Sequence, residues 1–159
     1  MPFRIDAKKK IFLATTADMS YAFAIRENGV PVNLHWGGRI DRLDDLTDES
    51  EISWFRISHY CGRAKSSRLE FPAYVPRHYY EPCLKLSSPD RALELMYESH
   101  RLENENHLIV TLREPGCGLV VNLHYELFPE FDLIQRHVEL INEGNAEIRV
   151  ENLFSAAWN

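Results

Sequence analysis

The sequence predicts an all-β, antiparallel β-sandwich, and three observations carry that prediction. Runs in which large apolar residues alternate with small or polar ones recur from Ser20 to Trp158. In the second half they return roughly every 12 to 15 residues. Short polar turns join them, where a βα-type sheet would insert helices.

Taken in order, Ser20–Glu27 sets Tyr21, Phe23 and Ile25 against smaller or charged neighbours, the period of a half-buried strand. Asn28-Gly29 follows, the favoured pair for a two-residue type I′ hairpin, and Val32–Trp36 returns to Gly37-Gly38. Ala92–Leu102 places Leu93, Leu95 and Tyr97 on one face and Glu94, Met96 and Glu98 on the other. The turn Glu103–Asn106 leads into His107–Arg113, and Glu114-Pro115-Gly116 turns the chain into Leu119–Tyr125. Leu133–Ile141, the turn Asn142–Asn145 and Ile148–Phe154 complete a meander. Between the two halves, Arg39–Tyr80 reads mostly as loop, with a helical turn expected within Asp41–Asp48. A loop of that length in a compact domain points to function or to an interface. The last residues, Arg149 to Asn159, read as a strand without a cap, so the expected sandwich is incomplete at its C-terminal edge and belongs to the front of a larger architecture.

Length and composition bound the rest. A chain of 159 residues is expected to form one domain, residues 1–159, burying roughly two thirds of its unfolded surface. A net charge of −6 with scattered basic residues argues against a nucleic-acid partner. The one basic run, Lys8-Lys9-Lys10, reads as a solvated entry into a strand. No apolar run approaches the roughly 18 to 20 residues that span a bilayer, and no secretory signal is recognisable. Cys61, Cys83 and Cys117 are odd in number and lack CxxC spacing, which suits free thiols in a cytoplasmic protein.

The search for chemistry is sparse. Asp41, Asp44 and Asp45 form the densest acidic cluster, read first as a solvated turn and second as a contact for sugar hydroxyls or a metal. The regular oxygen ladder of a calcium loop is missing. Seven histidines are spread out, none in an H-x-x-x-H pair, and His124 and His137, on opposite predicted strands, read as solvent-facing. Neither a nucleophile elbow nor a phosphate-binding glycine loop occurs, and no cofactor is indicated. Phe71, Tyr74, Tyr79 and Tyr80 offer ring faces to a sugar, or anchors for the long loop.

The order of several segments adds to this. Tyr21-x-Phe23-x-Ile25, Gly29 and Trp36-Gly37 come first, then Phe71-Pro72-Ala73-Tyr74 and Tyr80-Glu81-Pro82. Leu95–Arg101, Leu119-x-Val121-x-Leu123-x-Tyr125, Ile134-x-Arg136, Ile141-Asn142-x-Gly144 and Ser155–Trp158 follow. In that succession, over nearly the whole chain, they resemble the N-terminal β-domain of the bacterial α-galactosidases of glycoside hydrolase family thirty-six. The resemblance implies a supersandwich preceding a (β/α)₈ barrel that carries two catalytic aspartates. A retaining pair stands about 5 Å apart, and a barrel of about 250 residues is not contained in this chain. No residue here is therefore expected to be catalytic.

The resemblance further implies an oligomer built through this domain, and an aspartate at an active-site rim supplied by the loop after Trp-Gly. Arg42-Leu43-Asp44 is the nearest match, on a shorter loop. Tyr80-Glu81-Pro82 keeps only the proline of the family's Asp-x-Arg-x-Pro-like element. Three readings follow. The chain is a non-catalytic scaffold whose partners are its own copies or the barrel, a stand-alone carbohydrate-binding module taking α-galactosides through Asp44, Tyr79 and Tyr80, or a structural interaction domain.

Overall fold

Tyr21, Phe23 and Ile25 alternate along one strand and all enter the same core, as a pleat of period two requires. In the computed structural model, residues 2–46, 69–74, 81–87 and 92–157 are described. Among them are ten strands and two 3-10 turns, Leu43–Asp45 and Pro129–Phe131.

The strands β1 (Phe3–Asp6), β2 (Ile11–Thr15), β3 (Met19–Ile25) and β4 (Pro31–Gly38) form an antiparallel meander, here the first sheet. The second sheet is another meander, of β6 (Met96–Asn104), β7 (His107–Glu114), β8 (Leu119–Phe128) and β9 (Leu133–Asn142). A short pair, β5 (Leu84–Leu86) with β10 (Val150–Leu153), lies antiparallel beside them.

One face of each meander builds the shared core. Phe12, Tyr21 and Phe23 from the first sheet meet Val110, Leu123 and Tyr125 from the second. Phe23 stacks on Phe12 at 4.7 Å between ring centroids and on Tyr125 at 4.9 Å, so one aromatic column crosses from sheet to sheet. Offset stacking of this kind adds about 0.5–1.5 kcal/mol per pair to the gain from area burial. On the opposite face of the first sheet, Leu13, Ala22, Ala24 and Val32 pack against Leu46 and Ile40, so the segment after β4 covers that face.

The segment 69–74 ties the pieces together. Leu69 bridges Val32 on β4, and the Glu70 N–H donates to the Pro31 carbonyl at 3.1 Å. Ala73 bridges Leu84 in parallel sense, and the Tyr74 N–H donates to the Leu84 carbonyl at 2.8 Å. Glu70 is thereby held between the two sheets.

Several expectations are corrected. Two strands, β1 and β2, precede Ser20; Lys8-Lys9-Lys10 is the exposed entry into β2 that the sequence suggested, in a turn where Asp6 accepts from the Lys8 and Lys9 N–H groups. The Asn28-Gly29 turn is not a two-residue type I′ turn. Arg26 and Val30 close a three-residue loop, the Gly29 N–H donates to the Arg26 carbonyl, and only Gly29 adopts positive φ, at 81°. That is the pattern of a turn ending in a left-handed residue with a bulge. The strand expected from Ala92 begins at Met96, although Leu93 and Leu95 are buried as their alternation predicts. The last strand begins at Val150 rather than Ile148. The helical turn expected within Asp41–Asp48 is present, as the 3-10 turn Leu43–Asp45. Most of the long Arg39–Tyr80 segment lies outside the described residues.

Candidate functional site

The most organised polar cluster is inside the sandwich. The Glu70 side chain is 0% exposed, and four side chains converge on its carboxylate. Tyr21 donates from its hydroxyl at 2.7 Å, and so does Tyr125. The Arg136 guanidinium stands 3.0 Å from Oε1, and Asn33 Nδ2 donates to Oε2 at 3.4 Å. Arg136 also donates to the Tyr21 hydroxyl at 2.8 Å and to the Glu70 carbonyl at 3.3 Å. Its cation lies over both tyrosine rings, 5.5 and 5.2 Å from their centroids.

Each member comes from a different element, β3, β4, β8, β9 and the 69–74 segment, so the cluster clamps both sheets to the connector between them. Its electrostatics follow from burial. Desolvation and then the neighbouring Glu70 charge push both tyrosine hydroxyls well above the usual range. Desolvation is the largest single influence on Arg136 and opposes its charge, but Glu70 together with Tyr125, Tyr21 and Cys83 outweighs it, and the guanidinium is held more firmly protonated. Burial raises the adjacent Cys83 thiol to about 12, so this thiol has little thiolate character near neutrality. Glu114, the other buried carboxylate among the described residues, accepts from the Gly116 and Cys117 N–H groups and shapes the turn after β7. Both buried carboxylates are thus consumed by structural bonds. Neither offers the opposed acid and base that glycoside hydrolysis needs.

Of the residues singled out for sugar binding, Asp44 sits on the Leu43–Asp45 turn with its side chain 72% exposed. It pairs loosely with Lys9 at 3.7 Å and Arg42 at 3.8 Å. Nearby, the Arg39 guanidinium binds Asp41 at 2.8 Å and lowers its pKa. Tyr79 and Tyr80 lie outside the described residues. Among the described residues, no group of His, Cys, Asp and Glu has the arrangement of a metal site, and no helix is long and apolar enough to cross a membrane.

Sequence reasoning missed Glu70 altogether, although a carboxylate between Leu69 and Phe71 is the available signal. It also misread His124, though not His137, whose side chain is 44% exposed. His124 and His137 are directly paired on β8 and β9 with rings stacked 4.1 Å apart, and His107 Nε2 lies 3.0 Å from His124 Nδ1. The His124 side chain is only 11% exposed, so it is not a solvent-facing strand residue.

Two antiparallel meanders packed face to face around a buried ion pair define a β-sandwich domain. The model of the glycosyl hydrolase family 36 N-terminal domain matches residues 29–159, and the chain belongs to that family. Among curated proteins it is 26% identical over 177 aligned residues to "Probable alpha-galactosidase C" of Aspergillus flavus, covering 98% of this chain and 23% of that protein. It is 25% identical over 164 residues to alpha-galactosidase C of Emericella nidulans, covering 91% and 21%. Among solved structures, the family 36 α-galactosidase AgaB of Geobacillus stearothermophilus superposes with a TM-score of 0.77 at 20% identity, over 98% of this chain and 24% of that one. The α-galactosidase of Lactobacillus brevis gives 0.79 at 19%, over 96% and 24%. The chain therefore spans less than a quarter of the length of the curated relatives it matches.

Proposed function

We propose that this chain is the non-catalytic N-terminal scaffold of an α-galactosidase-like protein, whose hydrolysis of terminal α-galactosides is carried out by a barrel outside these residues. The observation that carries the reading is the pairing of the family match over residues 29–159 with a sandwich in which the two buried carboxylates among the described residues, Glu70 and Glu114, are both engaged in holding the fold. A scaffold needs a rigid body and an outward surface. The clamp supplies the first. Apolar side chains exposed near the ends of β9 and β10, including Phe131, Leu133, Leu153 and Phe154, give the second a basis for contacts with the barrel or another copy.

The test is an assay of the 159-residue chain with 4-nitrophenyl α-galactopyranoside, with sedimentation at rising concentration alongside. The expected result is no release of nitrophenol and concentration-dependent self-association. Turnover by the chain alone overturns the non-catalytic reading, and a monomer at every concentration removes the oligomerisation role. Calorimetry against melibiose and raffinose separates a scaffold, which gives no heat, from a carbohydrate-binding module, which gives a saturable isotherm.

A further inference from the structure

Two neighbouring rungs of the β8–β9 ladder face opposite sides of the sheet. Tyr125 pairs with Arg136 and both turn inward to Glu70, while His124 pairs with His137 and both turn outward. Each histidine is therefore the chain neighbour of a clamp residue. His107 on β7 completes the outer group, its Nε2 hydrogen-bonded to His124 Nδ1 at 3.0 Å. The three rings form a continuous row across β7, β8 and β9, with centroid separations of 5.2 Å for His107–His124 and 4.1 Å for His124–His137.

We propose that this imidazole row is a proton-operated clasp: with at most one proton shared among the rings it holds β9 to β8, and a second proton drives the rings apart and loosens the Arg136 end of the core clamp.

The surroundings set that threshold. Glu126 on β8 lies 3.7 Å from His107 Nε2 and 3.9 Å from His137 Nδ1, so one charge on either ring has a counter-ion. Glu139 on β9 lies 3.8 Å from His124 Nε2, but it also accepts a hydrogen bond from Asn122, which in turn accepts from Thr111. Arg101 on β6 adds a positive charge near His124. His124 Nε2 and His137 Nδ1 are shielded from solvent and have no hydrogen-bond partner among the described residues; the His124 side chain is only 11% exposed, so a cation placed on it is poorly hydrated. Burial, then the charges of His137 and His107, depress the His124 pKa below the ordinary histidine value. Interacting rings of this kind titrate as a group rather than singly.

The sign follows from linkage. A histidine whose folded pKa is depressed binds fewer protons when folded than when unfolded, so stability is complete above the unfolded value of about 6.5 and is lost as pH falls from there toward the folded pKa. Because β9 is the edge of its sheet, the loss falls first on the β8–β9 ladder.

The experiment follows the imidazole resonances of the 159-residue chain by NMR between about pH 8 and about pH 5, with amide-exchange protection factors over the same range. Expected are titration curves of the three rings that are mutually dependent, with His124 titrating below the ordinary histidine value. Protection at Asn122, His124, Glu126 and Glu139, whose N–H groups donate across the β8–β9 ladder, should fall about tenfold for each unit of that depression, while protection in β2 and β3 holds. Replacing His137→Gln should remove most of the pH dependence at those four amides. Three independent titrations at ordinary values overturn the clasp, as does protection that is constant with pH or falls equally in both sheets. If the variant does not fold, the wild-type titration and exchange data decide alone.

Discussion

Replacing Glu70→Gln tests the buried clamp with almost no change of shape. At 3.0 Å, and with an effective dielectric of about 20, the Glu70–Arg136 attraction is worth roughly 5 kcal/mol. Most of it offsets the desolvation of two charges that are 0% and 10% exposed. The amide removes the attraction and leaves the desolvation of Arg136 in place. It also turns one acceptor into a donor facing hydroxyl and guanidinium groups that already donate. The expected loss is about 3–5 kcal/mol. With a urea slope of about 2 kcal/mol per molar, the unfolding midpoint falls by roughly 1.5–2.5 M. The double replacement Glu70→Leu with Arg136→Met leaves no charge in the clamp, and its loss should be well below the sum of the two single losses. A Glu70→Gln protein within about 1 kcal/mol of the parent, or strict additivity in the double variant, refutes the clamp as described.

The same clamp predicts alkaline sensitivity. Tyr21 and Tyr125 keep their protons in the fold above the unfolded value of about 10, so the folded state binds more protons there and stability falls as pH rises past that point. Tyr21→Phe should flatten that fall in urea titrations across the alkaline range, and an unchanged slope removes the link. Gly144→Ala should lower the melting temperature, since a Cβ there meets the Cys117 carbonyl oxygen, a backbone atom that cannot swing away; the cost is about 1–3 kcal/mol, read by calorimetry. Gly118→Ala carries an added penalty, because Gly118 adopts a φ of 72° and faces the Gly144 backbone. Asp44→Ala should leave the melting temperature unchanged, because its two ion pairs are long and exposed.

Period-two alternation made the second meander legible because its side chains divide cleanly between faces. Leu119, Val121, Leu123 and Tyr125 all enter the core as their spacing predicts. The same signal failed for β2 for a physical reason. Ile11–Thr15 is buried on both faces, Phe12 toward the shared core and Leu13 toward the second cluster, so apolar residues run without alternation. The Asn28-Gly29 pair marked the place of a turn but not its length, since loop closure depends on the Arg26–Val30 hydrogen bond and on Gly29 alone being left-handed. Of the candidate sugar contacts, Asp44 falls on an exposed turn, while Tyr79 and Tyr80 lie outside the described residues.

The clamp was hidden because its members are far apart in the chain and each looks ordinary alone. Tyr21 and Tyr125 read as core aromatics, Arg136 as one basic residue in a strand, and Glu70 as one of 24 carboxylates. Only the fold brings the 69–74 segment between the sheets and so gives Glu70 its partners. Arg136, inside a segment that carried the family resemblance, could have been read as buried from its register. It falls between Ile134 and Val138 on the inward face of β9, where an unpaired cation would be prohibitive. A buried cation requires an anion, and among the apolar stretches of this sequence the Leu69-Glu70-Phe71 step is a place to look for one. That inference runs from alternation, to burial, to charge balance, and it reaches the centre of the domain without any catalytic motif.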